Sequence, residues 1–566
     1  AGVGDPGPVG PQSEEEWQEA DLQAFREIRS RIPRGSAPGP DGWHMEWILM
    51  MLDERHAPPG TLAVALAMLH MLRHLDEEPP ETQDYLRRAR VIALEKYSAT
   101  AVVSIGGVGA LRAFQRALAD QDAFDALPDA LKPMCAKARD GVRPVGITNA
   151  FLRLRGMLTV HIYALPLARA AGPSQLACGF PGGTEAVVFL VRTALELHPD
   201  WVVLKLDIRN AHNTVLRNEW LRRLVAAAPG ARGQAVGAYH NPSFVWVRKD
   251  DGTIDSSILS AEGGIQGDPL IGPGFNATIA DVLGVLRGRV PVGMVAGIAD
   301  DITIAGPEPS IRSLWPGISD VLTPFGLTLN PDKCQVYCGT RNLRAADWGG
   351  GLHVVRKEEG LILCGAPVGS TAFIAKALAE TFDSLIGLLD ALDSLPLQHA
   401  LLELRLCSIP RAVFLSRVVA PDFVRDHMRK YDNAIAKKMQ VWMDLQGDIP
   451  PLALSQMQLP IRLGGLGLYP LADTCDAAYV ASLMLLVESG LRNRFPFIAP
   501  IIDNLTHPDA PPLTPGVAAV RQAYVRHGGH PVEQAGYSID PVLASEGIAC
   551  APGYNPKDRE HGGDAE

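Results

Sequence analysis

Two apolar runs in this chain carry carboxylates at their ends or turns. Trp201-Val202-Val203-Leu204-Lys205-Leu206 is strand-like and stops at Asp207. Val295 to Gly306 is a second apolar stretch, broken in its middle by Asp300-Asp301. It predicts a hairpin with the acidic pair as its two-residue turn. Two carboxylates held so close repel each other, and buried ones do not both ionise without compensation. A divalent cation supplies that compensation, and two strands offering three acidic oxygen donors suit a hard Mg²⁺ ion. Such a cage suits two-metal phosphoryl transfer, where one ion activates the attacking oxygen and the other steadies the leaving one. The competing reading of Asp300-Asp301 is a plain surface turn, because Asp tolerates tight turns well.

Other short motifs surround the three aspartates in a fixed order. Ala37-Pro38-Gly39-Pro40-Asp41-Gly42 comes first, then Lys137-Ala138-Arg139-Asp140-Gly141-Val142-Arg143-Pro144. Gln175 through Thr184 follows, with Gly179-Phe180 and Gly182. Asp207-Ile208-Arg209-Asn210-Ala211-His212 precedes Gly263-Gly264-Ile265-Gln266-Gly267-Asp268-Pro269-Leu270. Beyond Ala299-Asp300-Asp301 lie Gly326-Leu327-Thr328-Leu329-Asn330-Pro331-Asp332-Lys333-Cys334, Leu363 to Gly369, and Leu459 to Leu468. Each motif is weak alone. In series, over roughly residues 35–485, they resemble the reverse transcriptase of a non-LTR (LINE-type) retrotransposon.

That resemblance implies an α+β fold of the right-hand polymerase type, with fingers, an antiparallel palm sheet and a helical thumb. It places an N-terminal extension with the opening motif at 1–60, fingers at 61–199, palm at 200–370 and thumb at 371–450. A C-terminal helical module with a flexible tail takes 451–566. The implied activity is RNA-directed DNA polymerisation by two-metal nucleotidyl transfer. Mg²⁺ is the expected ion, with Mn²⁺ as an alternative. An RNA template, a DNA primer and deoxynucleoside triphosphates are the expected partners. Asp207 and Asp300 are the expected metal ligands, with Asp301 beside them and the Ile208 main-chain carbonyl as a further ligand. Gln266-Gly267 is expected under the templating base pair, and Lys333 is expected to protonate the leaving pyrophosphate.

The residues have their own chemistry beside the resemblance. Nucleotidyl transfer rests mostly on positioning and electrostatics. Lys137 and Arg143 flank an expected Asp140-Gly141 hairpin turn, which would set both cations on one projecting ribbon to hold a triphosphate. Their alternative is two solvated surface cations. Gly267 lets the main chain approach a base or sugar closely, or simply belongs to an ordinary Gly-Asp-Pro loop. Lys333 after Asn-Pro-Asp also reads as an exposed turn residue. Two positions depart from the family. Ile298 stands where Tyr or Phe usually precedes the Ala-Asp-Asp triplet. His212 stands where a Phe or Tyr usually lies beneath the sugar to exclude a 2′-hydroxyl, and its alternative is a packed core imidazole.

Composition bounds the rest. The 566 residues, 47% hydrophobic, suffice for several subdomains around a large core. The net charge of −11 runs against a nucleic-acid enzyme. Local excesses offset it: residues 131–170 hold seven Lys/Arg and one Asp, and residues 401–440 hold eight Lys/Arg and four acids. These fall where fingers and thumb would grip phosphates, or they form solvated faces. The eight scattered cysteines suggest free thiols in a reducing compartment, hence an intracellular, nuclear or cytoplasmic protein. The Cys334/Cys338 spacing lacks a second pair and argues against zinc. No secretory signal and no uninterrupted membrane-spanning apolar run is seen, so no membrane partner is expected. The chain starts with Ala1, which fits a fragment, and it shows no nuclease constellation before residue 35 or after residue 485.

Helical patterns are expected at Glu14–Arg31, ending before Pro33, at 61–75, at Ala277–Arg287 and through 371–448. Pro450-Pro451 marks a boundary, and a further helical module runs to about 495. Residues 98–130 read as an insertion, and the tail from 506 as weakly periodic. Two other readings stay open: a group II intron-type reverse transcriptase, and a decayed or domesticated polymerase-like protein that binds RNA without copying it.

Overall fold

Eleven strands lie among the described residues: β1 (Ala89–Glu95), β2 (Val142–Thr148), β3 (Val202–Leu206), β4 (Ser243–Arg248), β5 (Ile254–Ser260), β6 (Met294–Ile298), β7 (Asp301–Gly306), β8 (Gln335–Tyr337), β9 (His353–Val354), β10 (Gly360–Leu363) and β11 (Ala366–Gly369). The structure is a computed structural model. It describes residues 11, 13–33, 37–95, 121–132, 134–135, 142–248, 254–507 and 510–526, with scattered positions between 102 and 117.

The central sheet has the order β6-β7-β3-β8-β9. All its pairs are antiparallel except β8–β9 at one edge. Side chains alternate between the faces of a strand, so each strand feeds two cores. Val202, Leu204, Leu206, Val295, Ile302 and Ile304 join one apolar cluster, with Phe275, Ile279 and Leu283 of the Ile271–Arg289 helix. Val203, Met294, Ala296, Ala305 and Tyr337 join the other, with Val187, Leu190 and Val191 of the Gly183–Leu197 helix and the helices after residue 371. Burial on both faces explains why β3 and β6 read as continuous apolar runs rather than alternating ones.

A second sheet has the order β2-β1-β4-β5, with β1 parallel to β4 and the other pairs antiparallel. β4 and β5 belong in sequence with the central strands but pair in this sheet, so the two halves interleave. The expected Asp140-Gly141 hairpin lies outside the described residues, yet β2 answers part of it. Its partner among the described residues is β1, with Leu94 opposite Arg143. The described residues there, Lys132, Met134 and Cys135, are helical. Val102, Phe114, Ala117, Leu127, Leu131 and Cys135 form a small apolar cluster of their own among the described residues.

The N-terminal helix runs Glu14–Ile28 and is opened by a capping box between Ser13 and Glu16. The expected helices at 61–75 and within 271–289 appear as Thr61–Arg73 and Ile271–Arg289. Long helices at Thr371–Ala391 and Pro421–Trp442 follow the β10–β11 hairpin. The tail departs from expectation. Pro515–Arg526 is helical and packs Val520 and Ala523 against Val480 and Leu483 of the Leu471–Glu488 helix. Among the described residues no helix is long and apolar enough to cross a membrane.

Candidate active site

Register brings two of the three aspartates together. In β3 and β7, Lys205 lies opposite Thr303 and Leu206 opposite Ile302. Asp207 follows Leu206 and Asp301 precedes Ile302, so the two lie one residue beyond that last pair. Val203, Lys205 and Asp207 share one face of β3, and Asp301, Thr303 and Ala305 share the same face of β7. The hairpin turn is shifted by one residue from the expected one. Ile298 pairs with Asp301, so the turn is Ala299-Asp300 and Asp301 opens β7. Asp300 is half-buried at this turn, while Asp301 is exposed.

Asp207 is half-buried and tied on several sides. Its carbonyl accepts from the Asn330 N–H at 2.9 Å, and its N–H meets the Cys334 sulfur at 3.3 Å. Arg209 N–H donates to the Thr328 carbonyl at 2.9 Å, so Ile208 and Leu329 form a bridge between those bonds. In such a bridge the Ile208 carbonyl points away from Leu329 and stays out of that pairing. The Asp207 carbonyl is therefore a structural acceptor, and the Ile208 carbonyl lies outside the Leu329 pairing. Burial of the Cys334 thiol beside Asp207 pushes its pKa up to about 11, which keeps it protonated and inert.

The donor set fits a hard divalent cation: carboxylates on adjacent strands, a third at the turn, and a main-chain carbonyl. A second group of possible ligands, Glu14, His70 and His74, has its ligand atoms within 4.8 Å of one another. That second group already holds a cation. The Arg73 guanidinium bonds Glu14 and lies 2.8 Å from His70 Nδ1.

His212 lies on the short Ala211–Thr214 helix, stacked on Phe275 with ring centroids 4.3 Å apart. Burial holds its imidazole below the ordinary histidine value, while the Asp300 carboxylate pulls the other way. It is thus near the acidic turn and packed on the core at once. Gly267 uses its conformational freedom at φ +115°, and a Cβ there would come 2.4 Å from the Gly146 carbonyl of β2. Its close approach within the chain is to that strand. The Gln266 carbonyl accepts from Gly146 N–H at 2.7 Å, locking the same loop to β2. Asp268 is buried and accepts from Leu270 N–H at 2.8 Å, and its burial raises its pKa. Lys333 is exposed at the end of the Pro331–Lys333 turn, three residues from the Asn330 contact to Asp207. Lys137 and the Arg143 side chain lie outside the described residues.

Part of the basic excess is spent inside the fold. Arg155 is buried against Asp21, and Arg153 donates to the Ala37 carbonyl at 3.1 Å. Arg417 pairs with Glu185 at 2.9 Å, and Lys438 pairs with Asp390 and Asp393. The opening motif is structural as well: a Cβ on Gly39 would meet the Thr148 carbonyl at 2.4 Å.

One site residue was not singled out from sequence. Gln175 is fully buried, and its side chain meets the acidic turn directly. Its Oε1 accepts from Ala299 N–H at 3.0 Å and from Ala177 N–H at 3.1 Å, and its Nε2 donates to the Ala299 carbonyl at 3.0 Å. The two positions are 124 residues apart, and no local pattern pairs them.

No protein-family model matches the chain. The chain is 23% identical over 492 residues to the retrotransposable element SLACS 132 kDa protein of Trypanosoma brucei gambiense. That alignment takes in 83% of this chain and 35% of the relative, so the chain spans about a third of the relative's length. Among solved structures it is similar to apo telomerase from Candida tropicalis, at a TM-score of 0.34 and 9% identity over 64% of this chain and 65% of that one. A likeness at that score carries no argument.

Proposed function

We propose that this chain is the RNA-directed DNA polymerase of a LINE-type retroelement. The observation that supports it is the β3–β7 register, whose last pair, Leu206 opposite Ile302, leaves Asp207 and Asp301 each one residue beyond it, beside the Ala299-Asp300 turn. The motif order and the distant similarity to a retrotransposable-element protein support the same reading. On it, the central sheet is the palm, the β2-β1-β4-β5 sheet belongs to the fingers, and the helices from Thr371 to Trp442 form the thumb.

Asp207, Asp300, Asp301 and the Ile208 carbonyl would hold divalent ions, Mg²⁺ by their oxygen chemistry. When bound, such ions activate the attacking 3′-oxygen and neutralise charge on the leaving phosphate. The chain's own part is positioning. The Asn330 and Arg209 backbone bonds hold the Asp207 loop, and the Gln266 carbonyl bond to β2 holds the loop assigned to the templating pair. His212, stacked on Phe275, stiffens the floor assigned to the incoming sugar. Lys333 supplies a proton donor to pyrophosphate, and Lys137 and Arg143 supply triphosphate contacts.

Extension of a DNA primer on an RNA template, with and without Mg²⁺, tests this. Asp207→Asn or Asp300→Asn is expected to cut extension by on the order of a thousandfold. Binding to the hybrid should stay within a few-fold, because it rests on phosphate contacts. Hybrid binding without any extension would leave a polymerase-like RNA-binding protein instead. Near-normal activity of Asp300→Asn would sink the site.

A further inference from the structure

We infer that Gln175 is a positioning residue that holds the acidic turn in its working shape, an inference resting on the polymerase reading above. The turn is strained. Ala299 sits at φ +52°, in the left-handed region that a Cβ disfavours. A hydrophobic residue there needs outside restraint, and the turn has no glycine to relax it. Gln175 supplies the restraint from another part of the chain. Its amide bonds both main-chain groups of Ala299, the N–H and the carbonyl, each at 3.0 Å. A side chain that grips the peptide units on both sides of the Ala299 Cα restricts rotation about its φ and ψ.

The grip is itself anchored. Ser174 and Leu176 pair with Gly297 of β6 on either side of Gln175, each at 2.8 Å. Gly297 makes room, since a Cβ there would come 3.2 Å from Gln175 Nε2. Behind the segment lies Arg494, buried, with its guanidinium toward the Gly172, Pro173 and Gln175 carbonyls at 3.4–3.5 Å. Contacts therefore run from the helices after residue 450 through Gln175 to Ala299, whose neighbour is Asp300. Gln175 touches no reacting atom and acts through the turn.

Single-nucleotide extension kinetics test the inference. Gln175→Met keeps length and removes all three side-chain bonds. It is expected to lower kcat by about tenfold to a hundredfold, with KM for nucleotide and primer–template within about threefold. Gln175→Glu keeps the acceptor but sets a lone pair against the Ala299 carbonyl, so a loss remains. The decisive comparison repeats Gln175→Met in an Ala299→Gly background. Glycine takes positive φ without the Cβ penalty, so the fold-loss there should shrink to a few-fold. An equal fold-loss in both backgrounds, or a loss that follows the melting temperature instead of kcat, would overturn the positioning role. Wild type that extends and loses activity in Asp300→Asn, while Gln175→Met extends normally, would defeat this inference and leave the polymerase reading intact. Wild type that never extends would defeat the polymerase reading itself.

Discussion

Ile298 opposite Asp301 decides which carboxylate belongs to a strand and which to a turn. The adjacent pair was legible in the sequence, but its split between turn and strand was not. Both Ala299-Asp300 and Asp300-Asp301 satisfy the apolar pattern, and register is set by cross-strand partners. His212 raises the next question at this scale. Its stack on Phe275 makes it a packed ring, and its closeness to Asp300 keeps it at the site. Deoxynucleotides should be preferred, by a narrower margin than behind a phenyl ring, because ring nitrogens can hydrogen-bond a 2′-hydroxyl. His212→Phe should widen that margin and His212→Ala narrow it, read as the ratio of kcat/KM for matched deoxy- and ribonucleotides. If neither changes the ratio, the ring is core and nothing more. Gly267 gives a plainer case. At φ +115° with Gly146 oxygen 2.4 Å from a built Cβ, Gly267→Ala should cost about 1–3 kcal/mol of stability. Denaturant unfolding checks this, and an unchanged midpoint would mean the loop moves freely off β2.

Helices with strong end signals were legible as elements. Ser13 and Glu16 form the box that opens Glu14–Ile28, and both residues are visible in the sequence at the right spacing. The Pro515–Arg526 helix was missed for the opposite reason. Its buried face is only Val517, Val520 and Ala523, too thin a stripe to stand out until Val480 and Leu483 cover it. The β10–β11 hairpin turns on Cys364 at φ +49° and Gly365 at φ +86°, as a two-residue turn with both centres left-handed requires. Helix pairing also carries a prediction. Arg155 of the Ala150–Ile162 helix and Asp21 of the Glu14–Ile28 helix form an ion pair with both side chains almost fully buried. Arg155→Met strands a buried carboxylate and should cost about 3–5 kcal/mol. Replacing both, Asp21→Leu with Arg155→Met, should recover most of that loss in the same unfolding titration. A double variant no better than the single one would show that the pair's charge is not the issue.

At the scale of the whole molecule, regional charge counts include cations that the fold already pairs. Cations counted toward a phosphate grip include Arg155, Arg417 and Lys438, which the fold spends on its own carboxylates. Hybrid binding should still weaken with salt, because each phosphate neutralised adds about 0.9 to the slope of log affinity against log salt. Arg417→Met should leave that slope unchanged, since Arg417 is already paired with Glu185. A slope smaller by about one would place Arg417 on the nucleic acid instead. The sequence alone determined the order of the acidic segments and helices such as Glu14–Ile28, Thr61–Arg73 and Ile271–Arg289, because these depend on neighbours along the chain: periodicity, caps and turn residues. Only the tertiary structure decided that Leu206 pairs with Ile302 at the acidic end of the sheet, that Gly267 leans on β2, and that Gln175 grips Ala299. Those contacts join residues dozens to more than a hundred positions apart. Their energy comes from strand register and buried hydrogen bonds, which exist only after the two cores close on the central sheet.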